Sequence, residues 1–356
     1  MQPAKKEDYI CTVPFVSLEI HDHKRFLCCA SWLKKYLPED SSPKDAWNSK
    51  EAFDIRESIL DGSYKYCDSQ QCPFLHQLES IGDVGKVYPL VKKTKIRKNL
   101  LDKIEDHKNG TLTPSTIQFS FDRTCNLECP SCRVKIFTAS GKKIKEVQKT
   151  IDEIQEQYGG TTKTLYITGS GDPFISVGFR NFLRNFNAKD WPMLKNIHLH
   201  TNATKWSKKM WESMPNIHKY VKTCEISIDA GTKDTYENKT RIGGNWEELI
   251  TNLKFISTLP DLKEVKTSFV VQKDNYKEMK IFYDLILQIF GKKALVFYGK
   301  INNWGTFSDT EFKGHKIWDN THPEYDKFID EVNSFLPAKQ VFNNLQEFMG
   351  KKTELI

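Results

Sequence analysis

Three cysteines stand close together near the middle of the chain, with the spacing Cys-x3-Cys-x2-Cys. They are Cys125, Cys129 and Cys132. Three thiolates on one short loop can hold three irons of a cubane cluster, which normally has four cysteine ligands. The fourth iron would then be open to another ligand, as in metal sites that bind a substrate or cofactor. The spacing predicts an iron–sulfur site with one open position.

Zinc and disulfide interpretations of the same cysteines are weaker. Zinc sites also use Cys-x2-Cys pairs, but they need a second pair or histidines to complete a tetrahedron. Downstream of Cys132 the chain has only Cys224. A disulfide is disfavoured because the thiols are crowded on one loop around Pro130.

After residue 114 the chain alternates between short β-prone runs and longer amphipathic runs. Such alternation predicts βαβ units and a parallel sheet, with functional residues at the C-terminal ends of the strands. The predicted strands are 116–121, 163–168, 196–201, 221–228, 265–271 and 294–298. The predicted helices are 142–158, 177–186, 205–213, 246–258, 276–289 and 323–336.

Together, the cysteine motif and these elements resemble the radical S-adenosylmethionine (SAM) superfamily. The resemblance implies an α/β fold, a partial (β/α)6 TIM-like barrel over residues 114–305, with a small N-terminal α+β iron–sulfur module. It also implies a [4Fe–4S] cluster on the three cysteines, with SAM on the open iron. An electron from the cluster would cleave SAM to a 5′-deoxyadenosyl radical, which takes hydrogen from a substrate.

The resemblance further implies the residues that bind SAM. Glycines in a turn let the backbone approach a ligand closely, and a guanidinium suits a carboxylate. The implied residues are Gly169, Ser170, Gly171, Asp172, Thr201, Asn202, Ser227, Asp229 and Arg241. The open alternatives are an ordinary strand-to-helix turn at 169–173 and a surface role for Arg241.

The predicted strand 221–228 carries polar residues with period two. Glu225, Ser227 and Asp229 share one face by strand alternation. Polar groups inside a barrel need a ligand or a hydrogen-bond network. Cys224 falls on the opposite face, so we interpret it as a packing residue rather than a hydrogen donor.

A second cysteine set lies in the first hundred residues. Its members are Cys11, Cys28, Cys29, Cys67 and Cys72. A hairpin with its turn at 21–24 and a helix near 50–60 lie between them, an arrangement that resembles the SPASM and twitch auxiliary-cluster modules. The resemblance implies a second [4Fe–4S] cluster in residues 1–92, with either Cys28 or Cys29 as one ligand. Structural zinc and unlinked thiols are the alternatives.

Composition favours an enzyme in a reducing compartment. The net charge of +7 is mild, no apolar run approaches about 20 residues, and the N-terminus lacks a signal-peptide core. Eight of the nine cysteines fall into two clusters, a pattern that suits metal binding. We therefore expect a cytoplasmic location, with no membrane partner. The remaining segments are predicted to be a linker at 93–113 and a helical tail at 306–356 that caps the barrel.

The substrate is less sharply indicated than the cofactors. The likeness to SPASM and twitch enzymes favours a peptide or protein that is crosslinked, epimerised or oxidised. Dehydrogenation or rearrangement of a carbohydrate or other small metabolite is the alternative. Nucleic-acid modification is a lesser alternative, since no stripe of aromatic and basic residues stands out. The implied partner is a low-potential electron donor of the flavodoxin or ferredoxin type.

Overall fold

A computed structural model describes residues 5–69, 71–81 and 89–350 of the protein. The chain divides into two compact units. The first unit comprises Met1–Asp122, Lys145–Gly169 and Asn187–Asn196, and the second comprises Arg123–Ile144, Ser170–Phe186 and Ile197–Ile356.

The described residues of the first unit form six strands: β1 (Tyr9–Cys11), β2 (Ser17–Ile20), β3 (Arg25–Phe26), β4 (Leu90–Lys92), β5 (Thr116–Phe119) and β6 (Thr164–Ile167). β2, β5 and β6 are parallel neighbours, and β3 forms an antiparallel hairpin with β2. The hairpin turn is at the predicted place, where the His21 N–H donates to the Lys24 carbonyl oxygen at 2.9 Å. β1 pairs with β4 in a separate sheet.

The helices of this unit are α1 (Pro43–Trp47), α2 (Lys50–Leu60), α3 (Pro73–Ile81), α4 (Lys98–Lys108) and α5 (Gly141–Tyr158), the last beginning in the second unit. Ser42 and Ser49 cap α1 and α2 by accepting backbone N–H groups. α5 buries one apolar stripe at Val147, Ile151 and Ile154, which recur at helical spacing.

Trp47 and Arg56 join the N-terminal helices to the rest of the first unit. The Trp47 Nε1–H donates to the Leu112 carbonyl oxygen at 2.7 Å. The Arg56 guanidinium lies 4.2 Å from the Trp47 ring centroid and donates to the Pro14 carbonyl oxygen at 2.9 Å. Both side chains are buried, so these polar contacts fix the helices against the segments that lead into β5 and β2.

Five strands of the second unit lie side by side and parallel: β7 (Asn196–Thr201), β8 (Thr223–Ser227), β9 (Glu264–Val271), β10 (Ala294–Lys300) and β11 (Val341–Asn343). The helices are α6 (Val177–Arg184), α7 (Lys208–Glu212), α8 (Lys233–Thr235), α9 (Trp246–Ser257), α10 (Met279–Phe290), α11 (Asp309–His315) and α12 (Tyr325–Phe335). Ser176, Ser207 and Asn245 cap α6, α7 and α9.

The six strands predicted from the sequence are all present, as β5 to β10. The tail contains α12 at the place of the predicted helix 323–336, and also α11, which was not predicted as a helix. It further contains β11, whose three residues are too few to show a strand pattern. The mixed α/β fold with parallel strands is thus confirmed, and the partial barrel and domain boundaries stay predictions. Within the described residues, no helix has the length and apolarity that a membrane crossing needs.

Two adjacent glycines test the packing of the first unit. A Cβ on Gly159 would overlap the Asp190 carbonyl oxygen and lie 2.6 Å from that of Gln155, whereas Gly160 has open space. Gly159→Ala should lower the free energy of unfolding by about 1–3 kcal/mol in urea titrations. Gly160→Ala is the matched control and should stay within about 0.5 kcal/mol of the unaltered protein. Equal unfolding midpoints for the two variants would contradict this packing.

Candidate metal centres

The three central cysteines lie on residues 123–140 of the second unit, named here the cysteine loop. The Cys129 carbonyl oxygen accepts the N–H groups of Cys132 at 2.9 Å and of Arg133 at 3.0 Å, which forms a tight turn. Cys125 and Cys129 are buried, whereas Cys132 is exposed. One of the three cysteines therefore faces solvent.

Each of these sulfurs has a side-chain nitrogen donor at 3.5 Å. The pairs are Asn202 Nδ2 with Cys125, Arg241 Nη1 with Cys129, and Arg133 Nη2 with Cys132. Positive charge and N–H donors beside a sulfur stabilise the thiolate and set the potential of a bound cluster. Two of the three donors are guanidinium groups, which carry a full positive charge.

Electrostatics on the cysteine loop suit a bound cation. Burial raises the pKa of the Cys125 and Cys129 thiols, and Arg241 opposes the rise at both. The neighbouring thiols raise the pKa of Cys129 further, because thiolates close together repel one another. Metal coordination removes this conflict, since a coordinated thiol is held deprotonated.

Asp172 ties the turn 170–173 to the end of β7. Its carboxylate accepts hydrogen bonds from Thr201 Oγ1 at 2.7 Å, Asn202 N at 2.8 Å and Phe174 N at 2.9 Å. Its own N–H donates to the Thr124 carbonyl oxygen at 2.9 Å. Burial raises the pKa of Asp172, and the three hydrogen bonds oppose that rise. Asp172 is thus a cross-link between the turn 170–173, the end of β7 and Thr124.

Gly169 belongs to the first unit and directly precedes the turn 170–173 in the sequence. A Cβ at this position would lie 2.8 Å from Gln118 Nε2 and 3.3 Å from Ser120 Oγ. The absence of a side chain at Gly169 therefore lets these two polar groups of β5 and its extension approach the backbone.

Asp229 and Arg241 form a buried ion pair, with Asp229 Oδ2 2.6 Å from Arg241 Nη2. The other Asp229 carboxylate oxygen accepts the Val270 N–H at 2.7 Å. Asp229 has a φ of 58°, a left-handed conformation that ordinary residues adopt mainly where the surroundings impose it. Burial disfavours the charge of Arg241, but Asp229 and Cys129 hold the Arg241 pKa above its ordinary value.

A row of polar side chains crosses β7, β8 and β9. His200 stands opposite Glu225, which stands opposite Lys266. Lys266 Nζ donates to Glu225 Oε2 at 3.0 Å. Ser227 Oγ lies 3.1 Å from His200 Nε2 and 3.2 Å from Ser268 Oγ. We name these five residues the polar row.

Charge in and beside the polar row is set by burial and by neighbours. Burial acts to raise the pKa of Glu225, but His200 and Lys266 hold it at about 2. Burial lowers the pKa of His200, and it lowers that of His198 to about 3. At neutral pH Glu225 is therefore ionised, and the two imidazoles are neutral. Cys224 is fully buried, in agreement with its predicted packing role.

The second cysteine set gathers in the first unit. Cys11 ends β1, Cys67 forms an isolated β-bridge with Leu33, and Cys72 directly precedes α3. Tyr64 fixes the Cys11 strand, because its hydroxyl accepts the Cys11 N–H at 3.1 Å and donates to the Tyr9 carbonyl oxygen at 3.0 Å.

These thiols repel one another as thiolates. Burial raises the pKa of Cys28, and so do Cys11, Cys72, Cys29 and Cys67 in turn. Burial and Cys72 raise the pKa of Cys67 to about 12. A set of soft sulfur donors with unfavourable thiolate charge fits a metal or cluster, whose cations stabilise all of the thiolates together.

Cys29 differs from its neighbour Cys28. Its Sγ lies 3.4 Å from Ser31 Oγ. Burial raises the pKa of Cys29, hydrogen bonds with Ser31 lower it, and the charge of Glu19 raises it. No three His, Cys, Asp or Glu side chains of residues 5–69, 71–81 and 89–350 are already arranged around a single-ion site. All nine cysteines are free thiols, so the donor chemistry of both sets is intact.

The second unit brings together most of the residues predicted for SAM. Asp172, Thr201 and Asn202 share one hydrogen-bond network, which also reaches Cys125. Asp229 and Arg241 form a second network, which reaches Cys129. Ser227 instead belongs to the polar row, and Ser170 offers its carbonyl oxygen to Arg133 at 3.1 Å. Their roles in SAM binding stay predictions.

Sequence reasoning missed three groups of this region. Arg133 directly follows Cys132, and a positively charged residue next to a predicted cluster ligand was the signal that could have identified it. Lys266 pairs with Glu225 through strand register, which the sequence does not show. Glu278 accepts the N–H groups of Gly231 at 2.7 Å and Thr232 at 3.1 Å, and so holds the loop after β8.

Comparisons with known proteins give distant structural likenesses. No protein-family model matches the sequence. No curated protein matches it either. Streptococcus suis SuiB bound to S-adenosylmethionine is 15% identical at a TM-score of 0.41, over 62% of this chain and 50% of that one. Histidine-tagged anSMEcpe with bound AdoMet is 15% identical at a TM-score of 0.43, over 61% of this chain and 58% of that one.

A third likeness is TYW1 with a lysine-pyruvate adduct bound, at 15% identity and a TM-score of 0.34. It covers 52% of this chain and 64% of that one. The chain thus spans about half of the SAM-bound SuiB structure and less than two thirds of the other two.

The low pKa of His198 predicts a loss of stability in acid. Below pH 6.5 the unfolded chain binds a proton at His198, whereas the folded protein does so only near pH 3. This one group should therefore lower the free energy of unfolding by about 2 kcal/mol between pH 7 and pH 5. In urea titrations His198→Gln should lose that part of the pH dependence. The exposed His23, changed to Gln, is the control and should keep it. Identical pH profiles for His198→Gln and the unaltered protein would contradict the assignment.

Proposed function

We propose that this protein is a radical SAM enzyme, which cleaves SAM reductively and removes a hydrogen atom from a substrate. The observation that carries the proposal is the cysteine loop, where each of three sulfurs has its own nitrogen donor. Cys125, Cys129 and Cys132 fit three ligands of a [4Fe–4S] cluster, and the loop contains no fourth cysteine. When bound, that cluster supplies the electron that cleaves SAM on the open iron to a 5′-deoxyadenosyl radical.

The surrounding residues are suited to hold SAM. Asp172 holds the turn that contains Ser170 and Gly171 against the end of β7, beside Cys125 and its donor Asn202. Arg241 has its Nε buried and without a hydrogen-bond partner among the described residues. Asp229 pairs with Nη2 of this guanidinium and Cys129 accepts from Nη1, so the Nε–H is the donor that could bind the carboxylate of SAM.

We propose a peptide or protein as the substrate, on the likeness of the N-terminal cysteine set to auxiliary modules of peptide-modifying enzymes. A carbohydrate or other small polar metabolite is the second candidate. The polar row favours it, because an ionised Glu225, a lysine, a neutral imidazole and two hydroxyls offer many hydrogen bonds within a few ångströms.

A second [4Fe–4S] cluster in the first unit completes the proposal. Its ligands would be Cys11, Cys67, Cys72 and Cys28 rather than Cys29. The charges of Cys11, Cys72 and Cys67 raise the pKa of Cys28, whereas the Cys29 Sγ contacts Ser31 Oγ at 3.4 Å and, among the described thiols, raises the pKa of Cys72 and Cys28 only. A low-potential donor of the flavodoxin or ferredoxin type would supply electrons, in a cytoplasmic setting.

The triple substitution of Cys125, Cys129 and Cys132 with Ala tests the SAM-cleaving cluster. Anaerobically reconstituted, dithionite-reduced protein should produce 5′-deoxyadenosine from SAM, as measured by chromatography. The triple variant should produce none above background, since three cluster ligands are lost. Cys224→Ala removes a buried thiol of the same unit and should retain cleavage. Undiminished cleavage in the triple variant would overturn the proposal.

The same triple variant isolates the second cluster. After anaerobic reconstitution it should retain about four irons and four sulfides per chain. Adding Cys28→Ala should remove most of this iron, whereas adding Cys29→Ala, the matched control, should not. Iron and zinc are measured by mass spectrometry. Zinc in place of iron would show that the second set is a structural zinc site instead.

A further inference from the structure

Arg133 occupies a fixed position beside the exposed cysteine of the cysteine loop. Its Nη1 donates to the Arg123 carbonyl oxygen at 3.0 Å, and its Nη2 donates to the Ser170 carbonyl oxygen at 3.1 Å. The same Nη2 lies 3.5 Å from Cys132 Sγ. Two carbonyl groups from different segments therefore hold this guanidinium against one sulfur.

The three nitrogen donors on the cysteine loop differ in net charge. Asn202, beside Cys125, is neutral. Arg241, beside Cys129, is balanced by Asp229 at 2.6 Å. Arg133 has no carboxylate partner among the described residues, since its hydrogen-bond acceptors are carbonyl oxygens and a sulfur. Arg133 is thus the one donor of the three whose positive charge is not compensated.

We propose that Arg133 is a positioning residue that raises the reduction potential of the cluster, an inference that rests on the proposed function. Reduction transfers one electron from the donor to the site, which then carries one more negative charge. A fixed cation close to a ligand sulfur stabilises that added charge, and contacts to the sulfurs are a main determinant of cluster potential. Arg133 would therefore ease reduction by a weak donor.

Removal of the charge at Arg133 should make the cluster harder to reduce. The test is a dithionite redox titration followed by electron paramagnetic resonance, on reconstituted full-length protein in the quadruple background that lacks Cys11, Cys28, Cys67 and Cys72. In Arg133→Gln the ratio of reduced to oxidised cluster at a given potential should fall about tenfold, which is 59 mV for a one-electron couple. Lys135→Gln removes an exposed cation two residues away and should leave the potential unchanged.

The outcomes separate this inference from the proposed function. If the unaltered protein takes up no iron on the cysteine loop, the proposed function fails. If Arg133→Gln takes up iron normally and titrates at the same potential, only the role of Arg133 fails. If Arg133→Gln does not take up iron, the same redox titration is carried out on Arg133→Lys, because lysine keeps the positive charge. A ratio of reduced to oxidised cluster in Arg133→Lys within about threefold of that in the unaltered protein, at the same potential, supports the role of charge. A tenfold fall in Arg133→Lys would overturn it.

Discussion

The buried ion pair of Asp229 and Arg241 is the interaction on which the geometry of the cysteine loop most depends. Asp229 is fixed at the end of β8 by its contact with Val270, and Arg241 reaches from this carboxylate to Cys129. Two charges are almost excluded from water, so neither can be removed without leaving the other uncompensated. Loss of one partner in such a pair typically costs about 3–5 kcal/mol. The pair therefore couples the integrity of the sheet to the position of Cys129.

The two cysteine sets solve the same electrostatic problem differently. Around the cysteine loop, two guanidinium groups offset thiolate charge before any metal binds. In the N-terminal set, burial together with repulsion between thiolates raises the thiol pKa values, and no guanidinium group of the described residues contacts these sulfurs.

The polar row gives the parallel strands of the second unit two unlike faces. Period-two alternation places Glu225 and Ser227 on one side of β8 and the fully buried Cys224 and Ile226 on the other. Lys266 neutralises Glu225 across the strand register, so the charged face stays compatible with folding. The same hydrogen-bonding groups make this face a suitable surface for a polar substrate.

Local sequence was sufficient for the parts of this protein that depend on neighbours in the chain. Cys125, Cys129 and Cys132 lie on one loop, so their spacing in the sequence was enough to single them out as candidate cluster ligands. Periodicity likewise predicted the six strands β5 to β10 and the amphipathic α5, because burial of one face repeats along the element. The three residues of β11 are too few to carry such a signal.

Tertiary structure decided what depends on direction and on distant partners. Only the fold brings Asn202 and Arg241 to sulfurs that lie 77 and 112 residues away in the chain. It also turned Asp172 into a cross-link and placed the Cys29 sulfur beside the Ser31 hydroxyl, neither of which can be read from positions in a sequence. The physical reason is that hydrogen bonds and charge compensation act over a few ångströms and depend on orientation, whereas spacing in the sequence records neither.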